Sequence, residues 1–351
     1  MTDILIAPAN AASDELAHSG AAEFSTPRLG FLGVGWIGRN RMEAIANAGL
    51  AEVAAIADTS AEMIAAAKET APAAEVVSGL DELLEIGLDG IVIATPSALH
   101  AGQSIRALES GAAVFCQKPL GRTAAEARAV VDAARAADRL LSVDFSYRFT
   151  EGMRGIRERV RAGELGRVFA VDLVFHNAYG PDKPWFYDPA QSGGGCVMDL
   201  GVHLVDLAMW TLGWPAVESV SSRLFKDGQA LGASPEVCED YATATLGLAG
   251  GTSVNLTCSW NVSAGQDAVI GAAFYGTGGG AALKNVNGSF FDFTAELYHG
   301  TSRETLATPP DPWGGRAAAD WARRLAEGER YDPACERLVE VAAVLDRIYG
   351  R

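Results

Sequence analysis

The sequence predicts an α/β protein in which a doubly wound parallel sheet is followed by an α+β region on an open, mainly antiparallel sheet. Three observations carry this. Over residues 28–145, short apolar runs alternate strictly with longer amphipathic ones, the pattern of parallel strands buried on both faces with helices between them. The first apolar run ends in Gly33-x-Gly35-x-x-Gly38. After Arg148, strand-like segments follow one another without helices, which argues for antiparallel pairing.

In order, residues 28–34 form an apolar run ending in glycines, and Trp36–Ala48 has helical spacing. Glu52–Ala57 is apolar and stops at Asp58. Residues 60–70 read as a helix with Ser60 as N-cap. Residues 89–94 (DGIVIA) are a strand, 97–110 a helix stopped by Gly111, 112–116 a strand, 123–137 a helix and 140–144 a strand. A helix at 151–162 then precedes an alternating strand at 166–175. The glycines 193–195 lead into a helix near 199–212. YATATLGL, GTSVNLTCSW, AVIGAAFYG and SFFDFTAELYHG are strands, and 315–350 is helical with a break at Asp332-Pro333.

A chain of 351 residues suggests two domains. The expected division is an N-terminal arm (1–27), a nucleotide-binding domain (28–148) and an α+β domain for substrate and self-association (149–351), its last helices packing back on the first domain. The arm holds Asp3, Asp14 and Glu15 and no basic stretch, so it reads as a poorly ordered polar segment and not a signal peptide. The formal net charge of −16, without a Lys/Arg run, argues against nucleic acid and anionic membrane as partners. Five cysteines without a C-x-x-C pair read as reduced thiols in a cytoplasmic protein, and no metal site is expected. No apolar run approaches the ~18–20 residues that span a bilayer. The broad open sheet suggests a homo-oligomer, a dimer or tetramer.

The glycine motif follows a strand and opens a helix, and an acid lies about twenty residues on, as a dinucleotide-binding Rossmann fingerprint requires. Gly33 makes the turn, Gly35 admits the pyrophosphate, Gly38 lets the helix pack, and Trp36 and Ile37 lie between them. Asp58 is placed to accept from ribose hydroxyls and to repel a 2′-phosphate, which favours NAD over NADP; the alternative is an acid that merely ends a strand. Thr95-Pro96 ends the next strand, and His100 sits in the first turn of the helix after it. These three either line the nicotinamide side or, for His100, pack locally.

Lys118 ends an apolar strand, with Pro119 fixing the backbone behind it, through a bond that is able to be cis. At that edge of a parallel sheet a lysine can stabilise a substrate alkoxide, or it can face solvent. In SGGGCVMDLGVHLVDLAMW, Asp199 and His203 are four apart and Asp206 three further. On an α-helix they share a face, so Asp199 would orient the imidazole as a general acid/base. Competing readings are a first-turn acid with a core histidine, or a divalent-metal pair lacking further ligands.

VGWIG after a strand, ATPSALHAGQSIRALESGAAVFCQKPL and GGGCVMDLGVHLVD, in this order, resemble the glucose–fructose oxidoreductase/inositol dehydrogenase (Gfo/Idh/MocA) family over roughly residues 28–350. The resemblance implies a Rossmann domain plus a domain with an open mixed sheet. It implies hydride transfer between nicotinamide and a secondary hydroxyl of a sugar, inositol or sugar acid. The family's lysine, aspartate and histidine correspond to Lys118, Asp199 and His203 as catalytic residues, with Gln117 and Lys118 also at the cofactor. His203 would take the hydroxyl proton and Lys118 would stabilise the oxyanion. Arg148, His176 and Trp185, with Tyr147, Asn177 and the segment 179–187, are candidate substrate contacts; the aromatics 185–187 either stack on a sugar or pack a loop. Gln117 stands where the family has Glu, so Lys118 loses a neighbouring carboxylate, and Gln117→Glu is expected to move the activity profile to higher pH. The resemblance leaves open an NAD-dependent glycosidase, a cofactor-retaining exchange of hydride between two sugars, and a non-catalytic nucleotide sensor.

Overall fold

A computed structural model describes residues 26–351; the arm expected over 1–27 lies outside these residues except for its last two. The first half runs β1 (Arg28–Leu32), α1 (Trp36–Ala48), β2 (Glu52–Ala57), α2 (Ala61–Thr70), β3 (Glu75–Val77), α3 (Leu80–Glu85), β4 (Gly90–Ile93), α4 (Ser97–Glu109), β5 (Ala113–Cys116), α5 (Ala124–Ala137) and β6 (Leu141–Val143). The strands pair in parallel in the order β3-β2-β1-β4-β5-β6. Every residue of β4 and β5 is buried, because helices cover both faces of the sheet. Side-chain caps start the helices where the sequence offers them. Ser60 accepts from the Met63 amide and Thr123 from the Glu126 amide, each cap contributing about 1 kcal/mol.

The second half runs α6 (Glu151–Arg161), β7 (Val168–Asn177), α7 (Pro189–Ser192), α8 (Val202–Leu212), β8 (Val217–Lys226), β9 (Gln229–Ala230), β10 (Tyr241–Leu248), β11 (Ser253–Ser259), β12 (Ala268–Gly276), β13 (Gly280–Asn285), β14 (Phe293–His299), β15 (Ser302–Ala307), α9 (Arg316–Ala326) and α10 (Glu336–Tyr349). Its nine strands order as β15-β14-β13-β12-β7-β11-β10-β8-β9. Only β7 and β11 pair in parallel. One face carries α6 and α8. In β10, for example, Ala242, Ala244, Leu246 and Leu248 point inward while Tyr241, Thr243 and Thr245 do not.

The last helices return to the first sheet. Trp321 of α9 is wholly buried, 5.8 Å from the Phe115 ring of β5, and α10 packs on α5 and α8. Burying one such side chain stabilises the fold by about 1.5–3 kcal/mol. The reading of the sequence found no apolar run of membrane-spanning length. Among the described residues one helical run, Pro189–Leu212, does meet the length and composition; 83% of its apolar window is buried inside the protein, as in a core helix.

Candidate active site

The loops that leave the carboxyl ends of β1, β2, β4, β5 and β6 meet along one edge of the parallel sheet. The order reverses between β1 and β4 there, the place where open α/β sheets bind ligands. Gly33 has φ +86°, and a Cβ on it would stand 2.5 Å from the Ala94 carbonyl oxygen. A Cβ on Gly38 would stand 2.0 Å from the Gly33 oxygen, but one on Gly35 would meet nothing within 4 Å. The outer glycines therefore serve the protein's own packing, and the middle one leaves open space before α1. That helix begins with no side-chain cap and no acid in its first turn, so its first amides face an anion-binding space. Asp58 accepts from the Val34 amide at 2.7 Å and the Ser60 amide at 2.8 Å, which fixes its carboxylate against the glycine loop. Trp36 is 59% exposed and Ile37 is half-buried. These residues fit a dinucleotide.

Thr95 and His100 are committed to the protein. Thr95 Oγ1 donates to Gln103 Oε1 at 2.6 Å. His100 is buried, with Nε2 2.7 Å from the Thr95 oxygen and Nδ1 2.7 Å from the Pro119 oxygen. It clips the loop after β4 to the loop after β5, which is the local-packing alternative. Burial pushes its pKa down, against the pull of the two carbonyls.

The Lys118–Pro119 bond is cis. Lys118 Nζ donates to Asp199 Oδ1 at 2.6 Å and to the Asp199 carbonyl at 2.8 Å. The other carboxylate oxygen accepts from Trp260 Nε1 at 3.0 Å. Asp199 and His203 are not paired, which corrects the shared-face expectation. Asp199 lies in a π-helical turn, Val197–Gly201, in which the Val202 amide reaches back five residues to the Val197 carbonyl. The wider turn rotates Asp199 away from the face that an α-helix would give it, as π-bulges do at functional sites. Glu239, fully buried, holds the start of this turn. Its carboxylate accepts from the Gly195 amide (2.9 Å), the Val197 amide and the Tyr349 hydroxyl (both 2.8 Å).

His203 is packed edge-on against Tyr147 at 4.9 Å between ring centroids, and its Nδ1 is buried with no hydrogen-bond partner among the described residues. Burial first, then the charges of Lys118 and Arg41, push its pKa well below the usual value of 6.5. It is a neutral imidazole beside an ion pair.

Gln117 points away from the lysine. Asp144 Oδ2 accepts from both Gln117 Nε2 and Arg41 Nε, each at 2.6 Å, and the cluster is buried. This changes the expectation for Gln117→Glu. A second carboxylate would face Asp144 with one guanidinium between them, and its pKa would rise. The variant should lose about 1–3 kcal/mol of stability. A raised carboxyl pKa makes the loss small at pH 5 and larger at pH 8. Thermal unfolding at both values measures it; wild-type stability at pH 8 contradicts the assignment.

Other candidates lie elsewhere. Arg148 forks onto Asp206 through Nε at 2.7 Å and Nη2, its guanidinium 5.1 Å from the Phe145 ring centroid. Asp206 is therefore spent on Arg148 and does not join Asp199. His176 sits in one register row with Ser259 and Tyr241. Its Nδ1 is 2.7 Å from Ser259 Oγ and its ring stacks on Tyr241 at 5.7 Å. The neighbouring row, Ala242, Cys258 and Phe175, is buried toward α8, so His176 occupies the opposite sheet face from His203. Trp185 stacks on Phe186 at 3.8 Å, and Phe186 and Tyr187 flank Trp260. Reasoning from sequence missed Trp260, Glu239, Arg41 and Asp144. Only Trp260 and Asp144 carried a signal, each being a polar-tipped residue just past the end of a strand-like run.

Residues 28–145 match the oxidoreductase family with an NAD-binding Rossmann fold, and residues 153–282 match the GFO/IDH/MocA C-terminal domain. D-glucoside 3-dehydrogenase of Escherichia coli is 29% identical over 234 residues, 64% of each chain. Inositol 2-dehydrogenase of Acidiphilium cryptum is 32% identical over 219 residues, 60% of this chain and 62% of its own. The chain thus spans less than two thirds of the length of these curated relatives. Among solved structures, levoglucosan dehydrogenase in complex with NADH and levoglucosan superposes with a TM-score of 0.79 over 92% of this chain and 96% of its own, at 22% identity. That likeness concerns the fold.

Proposed function

This chain belongs to the GFO/IDH/MocA family of oxidoreductases, and from that premise we propose that it is an NAD-dependent dehydrogenase acting on a secondary hydroxyl of a sugar or related polyol. The observation that carries the reading is the 2.6 Å pair of Lys118 Nζ and Asp199 Oδ1 at the sheet edge, beside the glycine cradle. Gly33, Gly35, Gly38 and Asp58 would hold the dinucleotide, whose nicotinamide supplies the hydride acceptor when bound. An ammonium has three donors. Two go to Asp199, which leaves one for the substrate oxygen, where negative charge develops as the C–H bond breaks. The neutral ring of His203 is the group with a free lone pair for the hydroxyl proton. Asp199 and Trp260 keep the lysine from drifting, and His100 ties its loop to the neighbouring strand end. Asp58, fixed on the glycine loop with no arginine beside it in sequence, supports NAD over NADP. We assign self-association to the free face of the nine-stranded sheet, which presents Tyr275, Tyr241 and His176.

The test is NADH formation across neutral sugars, inositols and glycosides, with NADP in parallel. We expect turnover with NAD at least about tenfold better in kcat/KM, equivalent to about 1.4 kcal/mol of repulsion. NADP equal to or better than NAD contradicts the role given to Asp58.

A further inference from the structure

The exposed aromatic side chains are not scattered. Six exceed 40% exposure among the described residues. Of these, Phe291 (53%) and Tyr187 (43%) connect through ring contacts to residues of the site just described, Tyr179 (53%) adjoins the Phe290–Phe291 segment, and Trp36 (59%), placed above at the cofactor cradle, stands beside Phe291. The Trp36 and Phe291 rings are 6.3 Å apart and belong to different halves of the chain. Tyr179 stands 6.2 Å from Phe290, the neighbour of Phe291. Tyr187 bends back to donate to the Pro181 oxygen at 2.9 Å, and its ring lies 5.5 Å from Trp260, whose indole nitrogen holds Asp199. From the other end, Phe291 leads through Trp313 and Tyr147 to His203 in steps of 6.4, 4.9 and 4.9 Å. Both ends of the arc therefore connect to candidate catalytic groups through intervening rings, one through Trp260 to Asp199 and the other through Trp313 and Tyr147 to His203.

The arc is held rigidly. Trp313 Nε1 donates to the Phe291 oxygen at 2.8 Å, and Ser289 Oγ accepts from the Phe291 and Asp292 amides, both at 3.1 Å. The braced loop holds a large apolar ring, 53% exposed, beside other exposed rings, and contiguous exposed apolar surface marks binding sites. Among the described residues, the arc's cations each have a carboxylate partner: Arg39, on the helix of Trp36, lies 3.5 Å from Glu43. In the segment 179–187, Lys183 is matched by Asp182 at 3.1 Å, and the segment 286–292 contributes only Asp292. A phosphate or carboxylate would find no unpaired cation here among the described residues.

We infer that this rim is an accessory subsite for the aglycone of an uncharged glycoside, so that the substrate is a sugar bearing an apolar or aromatic substituent, not a free monosaccharide, an inositol, a sugar phosphate or a sugar acid. The inference rests on the dehydrogenase reading and deepens it. Ring stacking beyond area burial is worth about 0.5–1.5 kcal/mol per pair, which at 1.4 kcal/mol per decade is about 2- to 12-fold.

The test compares phenyl glycosides, methyl glycosides and free sugars of one configuration series, with NAD, on wild type, Phe291→Ala and Phe291→Tyr. Phe291 is 53% exposed, so both variants are expected to keep the fold, which their thermal unfolding checks. The phenyl glycoside should exceed the free sugar by at least about tenfold in kcat/KM. Phe291→Ala should lose most of that advantage through KM, with the methyl glycoside within about twofold, and Phe291→Tyr should retain it. Equal use of phenyl glycoside and free sugar overturns the inference. So does a Phe291→Ala variant whose oligomeric mass changes while its selectivity does not. Calorimetric binding of the phenyl glycoside separates the two claims. Binding weakened by Phe291→Ala, with no turnover of any sugar, sinks the dehydrogenase reading and keeps the subsite; turnover without that weakening does the reverse.

Discussion

Lys118→Ala should lower kcat by about 10³-fold or more on the substrate that the wild type uses best, while NAD binding persists. In the proposed role, the side chain offers the reacting oxygen the one donor not spent on Asp199. Its loss also strands the Asp199 carboxylate, whose side chain is only 15% exposed, with Trp260 as its remaining partner. Lys118→Arg should not restore the rate, because a planar fork cannot keep both bonds to Asp199 and a third to substrate. Single-turnover measurement at saturating NAD checks this, and a rate within tenfold of wild type removes Lys118 from the chemistry. The pH profile follows from His203. Its pKa lies well below 6.5, so the ring stays neutral as pH falls through that value. The rate of the chemical step should therefore show no limb near pH 6.5; any limb from this group lies lower.

The second large effect is on stability. Glu239→Gln should destabilise the protein by about 2–4 kcal/mol, because an amide cannot accept at both oxygens and turns a donor toward a buried backbone N–H. The carboxylate is engaged at both oxygens by Gly195, Val197 and Tyr349. No compensating shift is open, since a Cβ at Gly195 would already lie 1.8 Å from the Glu239 carbonyl oxygen. Burial raises the Glu239 pKa above 4.5, opposed by those hydrogen bonds. The sign is therefore opposite to that of an exposed, salt-bridged carboxylate. Glu239 contributes most to stability below its unfolded pKa and loses part of that contribution as pH rises through the raised value. Since the turn presents Asp199, the variant should also lose kcat more than KM. Chemical denaturation and kinetics on one preparation check both; wild-type stability contradicts the assignment.

The parallel sheet was legible because its strands are apolar on both faces, as GIVI and AVFC show. The strand Glu75–Val77 and the helix Leu80–Glu85 were not, being short and mostly at an exposed edge where periodicity has no length to register. The nine-stranded sheet was legible as alternation, but its order was not, since the β7–β11 pairing joins segments far apart in sequence. At the site, residue types on one loop were readable and partners across the fold were not. Asp199 is 81 residues from Lys118 and 61 from Trp260, and no local pattern announces either bond. VMDLG is equally compatible with an α- and a π-turn, so i,i+4 spacing suggested an Asp199–His203 dyad that the wider turn prevents. Gln117 looked like a lost charge beside Lys118; its true neighbour, Asp144, lies 27 residues on.

The central claim is that hydride leaves a sugar carbon within this cleft. The direct measurement is the mass of the NADH formed from unlabelled NAD and a glycoside deuterated at every ring carbon. Direct transfer predicts reduced cofactor carrying one deuterium, with Lys118→Ala forming essentially none over the same period. Cofactor reduced without deuterium, or glycoside consumed with no reduced cofactor at all, would contradict it.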